Sequence, residues 1–199
     1  GELLVRRRRG VPIASFGITL DANWGAKPPR ATYTIRDAFG RSLEQLTITH
    51  GATTSYHHAT GDPLKETQLS DLSLPIQKTD LSWVDLTLSF LWWPGGRLVG
   101  EESIRGFDCF IVEVNAPNPR TPEEEGRTPD RATIEASPLD SCPYTKARLW
   151  ISKKVNMMLQ AEGYDAEGDL ERKLWVRNFK KINEQWMIKD MEVQHYPMV

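Results

Sequence analysis

The chain has 199 residues, with 25 Lys plus Arg against 27 Asp plus Glu and a net charge of −2. This near balance excludes a general electrostatic affinity for nucleic acid, and the length suffices for a single domain, 1–199, with a substantial core. No apolar run approaches the ~20 residues that a membrane-spanning helix needs.

The first sixty residues read as successive antiparallel strands. Ala14, Phe16, Ile18 and Leu20 alternate at the strand period, and Gly10 and Pro12 before them mark a bulge or an edge. Arg6-Arg7-Arg8-Arg9 reads more readily as the solvated part of an edge strand than as a phosphate or lipid contact. After a turn at Asn23-Trp24-Gly25 and Pro28-Pro29, a second strand places Ala31, Tyr33 and Ile35 on one side and closes at Phe39-Gly40. Strands over 41–51 and 53–63 follow, the latter ending in Gly61-Asp62-Pro63. Nothing here has the 10–15-residue helical pattern of a βαβ unit.

From Leu64 to Pro94 the period changes. A helical turn is expected over Glu66 to Leu72. Ser82-Trp83-Val84-Asp85 fits a capping box, which predicts a helix over 82–91 ended by Pro94-Gly95-Gly96. Trp83, Leu86 and Phe90 fall on one flank, and Val84, Leu88 and Leu91 on the adjoining one. Ser82, Asp85 and Ser89 form a narrow polar wedge. An apolar arc this wide means an enclosed helix.

Phe107, Cys109 and Ile111 oppose Phe110, Val112 and Val114, so this strand is expected to be covered on both faces. The Pro-rich, charged stretch of about 115–143 lacks periodicity and reads as a long mobile loop. Cys109 and Cys142 fit either one disulfide or two thiols. From Tyr144 to Tyr196 short turns at 153–156, 165–168 and 183–184 join four strands, with Gly168 supplying a positive φ. A two-residue turn at Asn183-Glu184 places Arg177 opposite Asp190 and Val176 opposite Met191, with Leu174, Val176, Met191 and Val193 on one face.

Chemistry is hard to find. His57 and His58 point to opposite faces of a strand, so they do not share a metal ion, and both are expected to be exposed. No nucleophile elbow, zinc spacing or phosphate-cradling glycine loop appears. Glu101-Glu102 and Glu123-Glu124-Glu125 read as solvated charge. No catalytic residue, metal or cofactor is expected. The seven tryptophans are unusual, and Trp92 and Trp93 are candidates for lining an apolar pocket as well as for ordinary packing.

In combination these pieces resemble the periplasmic lipoprotein-carrier superfamily (LolA/LolB-like), in its outer-membrane lipoprotein-sorting branch. The resemblance rests on the helix start at Asp80 to Leu86, on Leu98-Val99-Gly100-Glu101-Glu102 leading into the strand from Ile104 to Val114, on Ala147 to Lys153, and on the Gly163-to-Gly168 hairpin before a paired strand containing Trp186. It implies a mainly β (α+β) fold: a curved antiparallel sheet forming an unclosed half-barrel, with one or more helices packed on its concave face. It also implies a non-catalytic envelope carrier or chaperone, binding a lipoprotein acyl chain or another hydrophobic ligand between sheet and helix. The ligand-binding residues expected on this basis are Trp83, Leu86, Phe90, Leu91, Trp92, Trp93, Tyr33 and Ile35. The alternative is an interaction module of the same fold with a filled cavity, docking to a membrane transporter or another envelope protein. Either implies a periplasmic location after loss of a signal peptide, with a membrane anchor left open, and a monomer that binds no nucleic acid.

Overall fold

The structure, a computed structural model, describes residues 1–6, 12–52, 54–69, 71–117, 144–182 and 185–196. The fold is mainly β, built from antiparallel sheets that do not close. The chain divides into two compact units, Gly1–Ser70 and Asp71–Val199. Each holds a six-stranded meander in which every strand pairs with its neighbours in sequence.

The first unit runs β1 (Glu2–Arg6), β2 (Pro12–Asn23), β3 (Arg30–Arg36), β4 (Ser42–His50), β5 (Thr54–Thr60) and β6 (Lys65–Thr67). Its buried row follows from the alternation in β3 and β4. Ala31, Tyr33 and Ile35 are buried, as are Leu46 and Ile48. The register sets Tyr33 opposite Leu46 and Ala31 opposite Ile48, so these side chains share one face. Arg6 ends β1, whereas Arg7, Arg8 and Arg9 lie outside the described residues. The helical turn expected over Glu66 to Leu72 does not form, and Lys65–Thr67 is a strand paired with β5. The turn at Gly61 folds the chain straight back, and ladder bonds outweigh one isolated helical turn, whose nucleation is unfavourable.

The second unit carries β7 (Arg97–Ile104), β8 (Phe107–Asn115), β9 (Lys146–Ser152), β10 (Met158–Tyr164), β11 (Leu170–Ile182) and β12 (Gln185–His195). Val176 pairs with Met191 as expected, and Leu174 with Val193. Arg177 does not face Asp190. The register shifts around Asn178, which pairs with Asp190 in its place and donates its side-chain amide to that carboxylate at 2.7 Å. Arg177 turns to Glu192, with Nε–Oε2 at 2.7 Å.

A cluster of Cys109, Trp150 and Leu159, flanked by Phe107, Ile111 and Phe179, forms one core of this unit. By register it lies on the face opposite Phe110, Val112 and Leu149. Strand β8 is therefore apolar on both faces, but the expected cover is incomplete, since Phe110 is 38% exposed. Cys109 is a buried free thiol whose Sγ–H donates to the Phe107 carbonyl at 3.3 Å, and burial pushes its pKa up. Cys142 and residues 118–143 of the expected long loop lie outside the described residues.

The expected helix over 82–91 is shorter. α1 covers Trp83–Thr87, Leu88 takes a left-handed φ of 53°, and a 3-10 turn runs over Ser89–Trp92. The cause is local. Thr87 Oγ1 donates to the Trp83 carbonyl at 2.7 Å and sits 2.7 Å from Ser89 Oγ. Side-chain bonds of this kind compete with the continuing helix.

Candidate functional site

The stretch from Asp71 to Trp93 is what the second unit adds to a plain meander. Its outer loop is pinned by main-chain bonds, Val84 N–H to the Leu72 carbonyl at 3.1 Å and Ile76 N–H to that of Leu81 at 2.8 Å. Leu72, Ile76, Trp83 and Val84 are all buried. The capping box forms as read: Asp85 N–H donates to Ser82 Oγ at 3.3 Å, and Ser82 N–H donates to Asp85 Oδ2 at 3.0 Å. Ser82 Oγ–H also donates to Oδ2, at 2.7 Å.

The polar wedge, however, faces inward. Ser82 and Asp85 are each 2% exposed and Ser89 is buried too. The remaining oxygen of Asp85, Oδ1, accepts a short hydrogen bond from the Tyr144 hydroxyl. Arg172 Nε stands 3.8 Å from Oδ2, near enough for charge attraction but too far for a hydrogen bond. Tyr144 is itself seated by a glycine: a Cβ on Gly163 would come within 2.7–2.9 Å of its ring. Asp85, Phe90, Tyr144, Glu162, Gly163, Arg172 and Leu174 line a small cavity with Ala147 and Ala161. It leaves about 10 Å³ to the centre of a water molecule, roughly the room of one water. Arg172 Nη1 is buried without a partner on the cavity wall, and Trp93 Nε1, on the ring packed against Phe90, is buried without one too.

The cavity opens onto an apolar face. Val112, Leu149, Ala161 and Leu174 stand in register across β8 to β11, and Leu98 extends the row onto β7. Phe110, Ile151 and Met158 form the next row. These rows begin buried, at Leu174, Ala161, Leu149 and Met158, and end exposed, with Leu98 at 59% and Phe110 at 38%. The other face of the same strands carries the Cys109–Trp150 core at one end and charge at the other. There Glu113 is bound by Arg97 and Arg148, and burial with a hydrogen bond to Glu162 pushes the Tyr164 phenol up to about 12.

The residues expected to bind ligand are distributed as follows. Trp83, Phe90 and Trp93 are buried, Leu86 is half-buried, and Leu91 and Trp92 are exposed at 45% and 57%. Phe90 alone of these lines the cavity; its ring meets Trp93 edge-on at 6.4 Å. Tyr33 and Ile35 are buried on β3 of the first unit. Sequence reasoning missed Tyr144, Gly163 and Arg172, because nothing local to Asp85 marks partners that join it only through the fold.

It also misjudged His58. The two histidines do point apart, but only His57 is exposed. His58 is buried, with Nε2 at 2.9 Å from Glu44 Oε1 and Nδ1 at 2.8 Å from Thr67 Oγ1. The three lie on adjacent strands β4, β5 and β6 and tie that edge together. Among the described residues no group of three or more His, Cys, Asp or Glu is placed to hold a metal.

An unclosed β meander carrying a short apolar helical segment on one face defines a class, the LolA/LolB-like fold, and solved structures bear this out. A DUF1329 family protein from Desulfovibrio piger superposes with a TM-score of 0.68 at 17% identity, over 98% of this chain and 76% of its own. A domain from Vibrio parahaemolyticus, provisionally assigned to outer membrane lipoprotein sorting, gives 0.68 at 14% identity, over 98% and 76%. A LolA superfamily protein from Nitrosomonas europaea gives 0.52 at 16% identity, over 98% and 74%. In sequence, the chain belongs to the family whose profile matches residues 55–197, a family described as uncharacterized protein. No curated protein matches it.

Proposed function

We propose that this protein is a non-catalytic carrier or chaperone of the cell envelope, periplasmic in location. It holds an acyl chain of a lipoprotein, or another hydrophobic ligand, against the apolar face of the second unit's sheet, beneath the segment 83–93. The observation that supports this best is the pair of apolar rows running from the buried Leu174 and Met158 out to the exposed Leu98 and Phe110. Each methylene moved from water onto such a face gains about 0.8 kcal/mol, so a chain of ordinary length gives a useful affinity. The cavity has room for about one water, so loading requires the segment to lift. The left-handed Leu88 divides it into two short pieces, and a break of this kind is where a hinge turns. Leu86, Phe90, Leu91, Trp92 and Trp93 would then wall the ligand. No helix among the described residues is long and apolar enough to cross a membrane.

Native mass spectrometry after gentle purification tests this, with co-purifying lipid as the expected result. Leu91→Arg and Trp92→Glu alter exposed positions, so both variants should fold while binding a fluorescent acyl probe at least about tenfold more weakly, the loss of roughly two buried methylenes. Unchanged binding in both would remove the segment as a wall. One observation favours a second reading, an envelope interaction module that docks to a transporter or other envelope protein: the space under the segment is nearly filled. Absence of lipid together with absence of probe binding would select it.

A further inference from the structure

We propose that Arg172, together with the Tyr144 hydroxyl, forms a head-group subsite at one end of the apolar rows, and that its ligand is an acyl amphiphile ending in a carboxylate. This rests on the carrier reading above and specifies the ligand that reading leaves open. One bond is left unmade. Arg172 Nη1, on the cavity wall, is buried without a partner, and an unmade buried donor is costly. It is a donor, so what would satisfy it is an acceptor.

The kind of acceptor follows from what already sits there. Asp85 presents a carboxylate that takes the Tyr144 hydroxyl on one oxygen and leaves Arg172 Nε at 3.8 Å from the other. A guanidinium offers a planar fork that a carboxylate fills with two parallel hydrogen bonds, and Asp85 does not fill it. A ligand carboxylate would do so and would compete with Asp85 for Tyr144. Losing that partner frees the capped end of α1 from the sheet, which couples binding to opening. The alkyl tail has a path from there. Arg172 stands in register with Gly163 and Ala147, one row from Leu174, Ala161, Leu149 and Val112. The site is thus an apolar track that ends at a guanidinium whose fork Asp85 leaves unfilled.

The test compares dansyl-undecanoic acid with its methyl ester on the unaltered full chain at neutral pH, by fluorescence titration. Both should bind, the acid about tenfold or more tightly, as expected for a charge-assisted hydrogen-bonded pair. Arg172→Met should bring the acid down to the affinity of the ester and leave the ester where it was. Asp85→Asn, which removes the competing charge, should tighten the acid. Equal binding of acid and ester to the unaltered protein overturns the subsite while leaving carriage standing, and needs no variant to fold. Binding of neither probe removes the carrier reading and the subsite with it. An Asp85→Asn protein that binds the acid no better overturns the competition.

Discussion

Both units run six antiparallel strands in sequence order, but they bury polar groups for different ends. In the first, Glu44, His58 and Thr67 bond across adjacent strands, where the ladder already fixes their spacing. In the second, Asp85 on α1 meets Tyr144, 59 residues away, at the start of the β9 region. A network inside a ladder cannot open without breaking the sheet. A bond between a helical segment and a sheet can open and leave every strand paired. The meander is therefore the scaffold in both units, and the opening that the proposed carriage requires would fall to the segment of the second.

The sharpest way to break this comparison is at Trp83, 1% exposed in α1. Trp83→Ala should cost about 3–5 kcal/mol, the range for removing a large buried aromatic. Leu46→Ala on β4, fully buried, should cost about 2–5 kcal/mol by the same rule. Urea melts of both variants, read with hydrogen exchange, check this. Trp83→Ala should speed exchange at 83–93 before it affects the strands β3 and β4. A cost below about 1 kcal/mol at Trp83, within the range of surface changes, would show the segment to be only loosely attached.

How much of this was legible beforehand depends on whether the signal was local. Alternation in Ala31, Tyr33 and Ile35 announced a buried face, and the spacing of the last two apolar runs announced the pairing of Val176 with Met191, while Asn183 and Glu184 themselves lie outside the described residues. Ser82 and Asp85 announced the cap. The register shift around Asn178 left no trace in the pattern, because the shifts on the two strands cancel by Val176. The short α1 was missed because the wide apolar arc continued past Leu88, while the competing Thr87 and Ser89 bonds depend on geometry. The inward polar wedge was missed for a different reason: a buried carboxylate needs partners, and Tyr144 and Arg172 are near it only in the folded chain.

A finer test bears on how Asp85 is held. Gly163→Ala adds a Cβ within 2.7–2.9 Å of the Tyr144 ring, a ring that is 1% exposed and tied down by its hydroxyl. The clash has no flexible tip to absorb it, so overpacking should cost about 1–3 kcal/mol. If the comparison holds, displacing Tyr144 also loosens α1, and exchange at the amides of 84–88 should rise more than in the first unit. A stability loss spread evenly over both units would mean that Tyr144 braces the sheet and does not specifically hold the segment.

The smallest effect concerns the charged face of the second sheet and has a defined pH window. Burial of Glu113 alone would raise its pKa, but hydrogen bonds from Arg148 and Arg97 and the charge of Lys146 outweigh it and hold the carboxyl below its ordinary value of 4.5. A carboxylate depressed in the folded state adds stability that is fully present above the unfolded value and is lost as pH falls through the folded one. Glu113→Gln should therefore lower stability by about 1 kcal/mol or less at neutral pH, the scale of partly solvated ion pairs. The difference from the unaltered protein should shrink on acidification below the ordinary carboxylate range, and added salt should reduce it at neutral pH. A difference that persists undiminished in acid would assign the Glu113 effect to packing. The second sheet would then owe its stability, like the first, to its apolar rows, and only the Asp85 contact would set the two units apart.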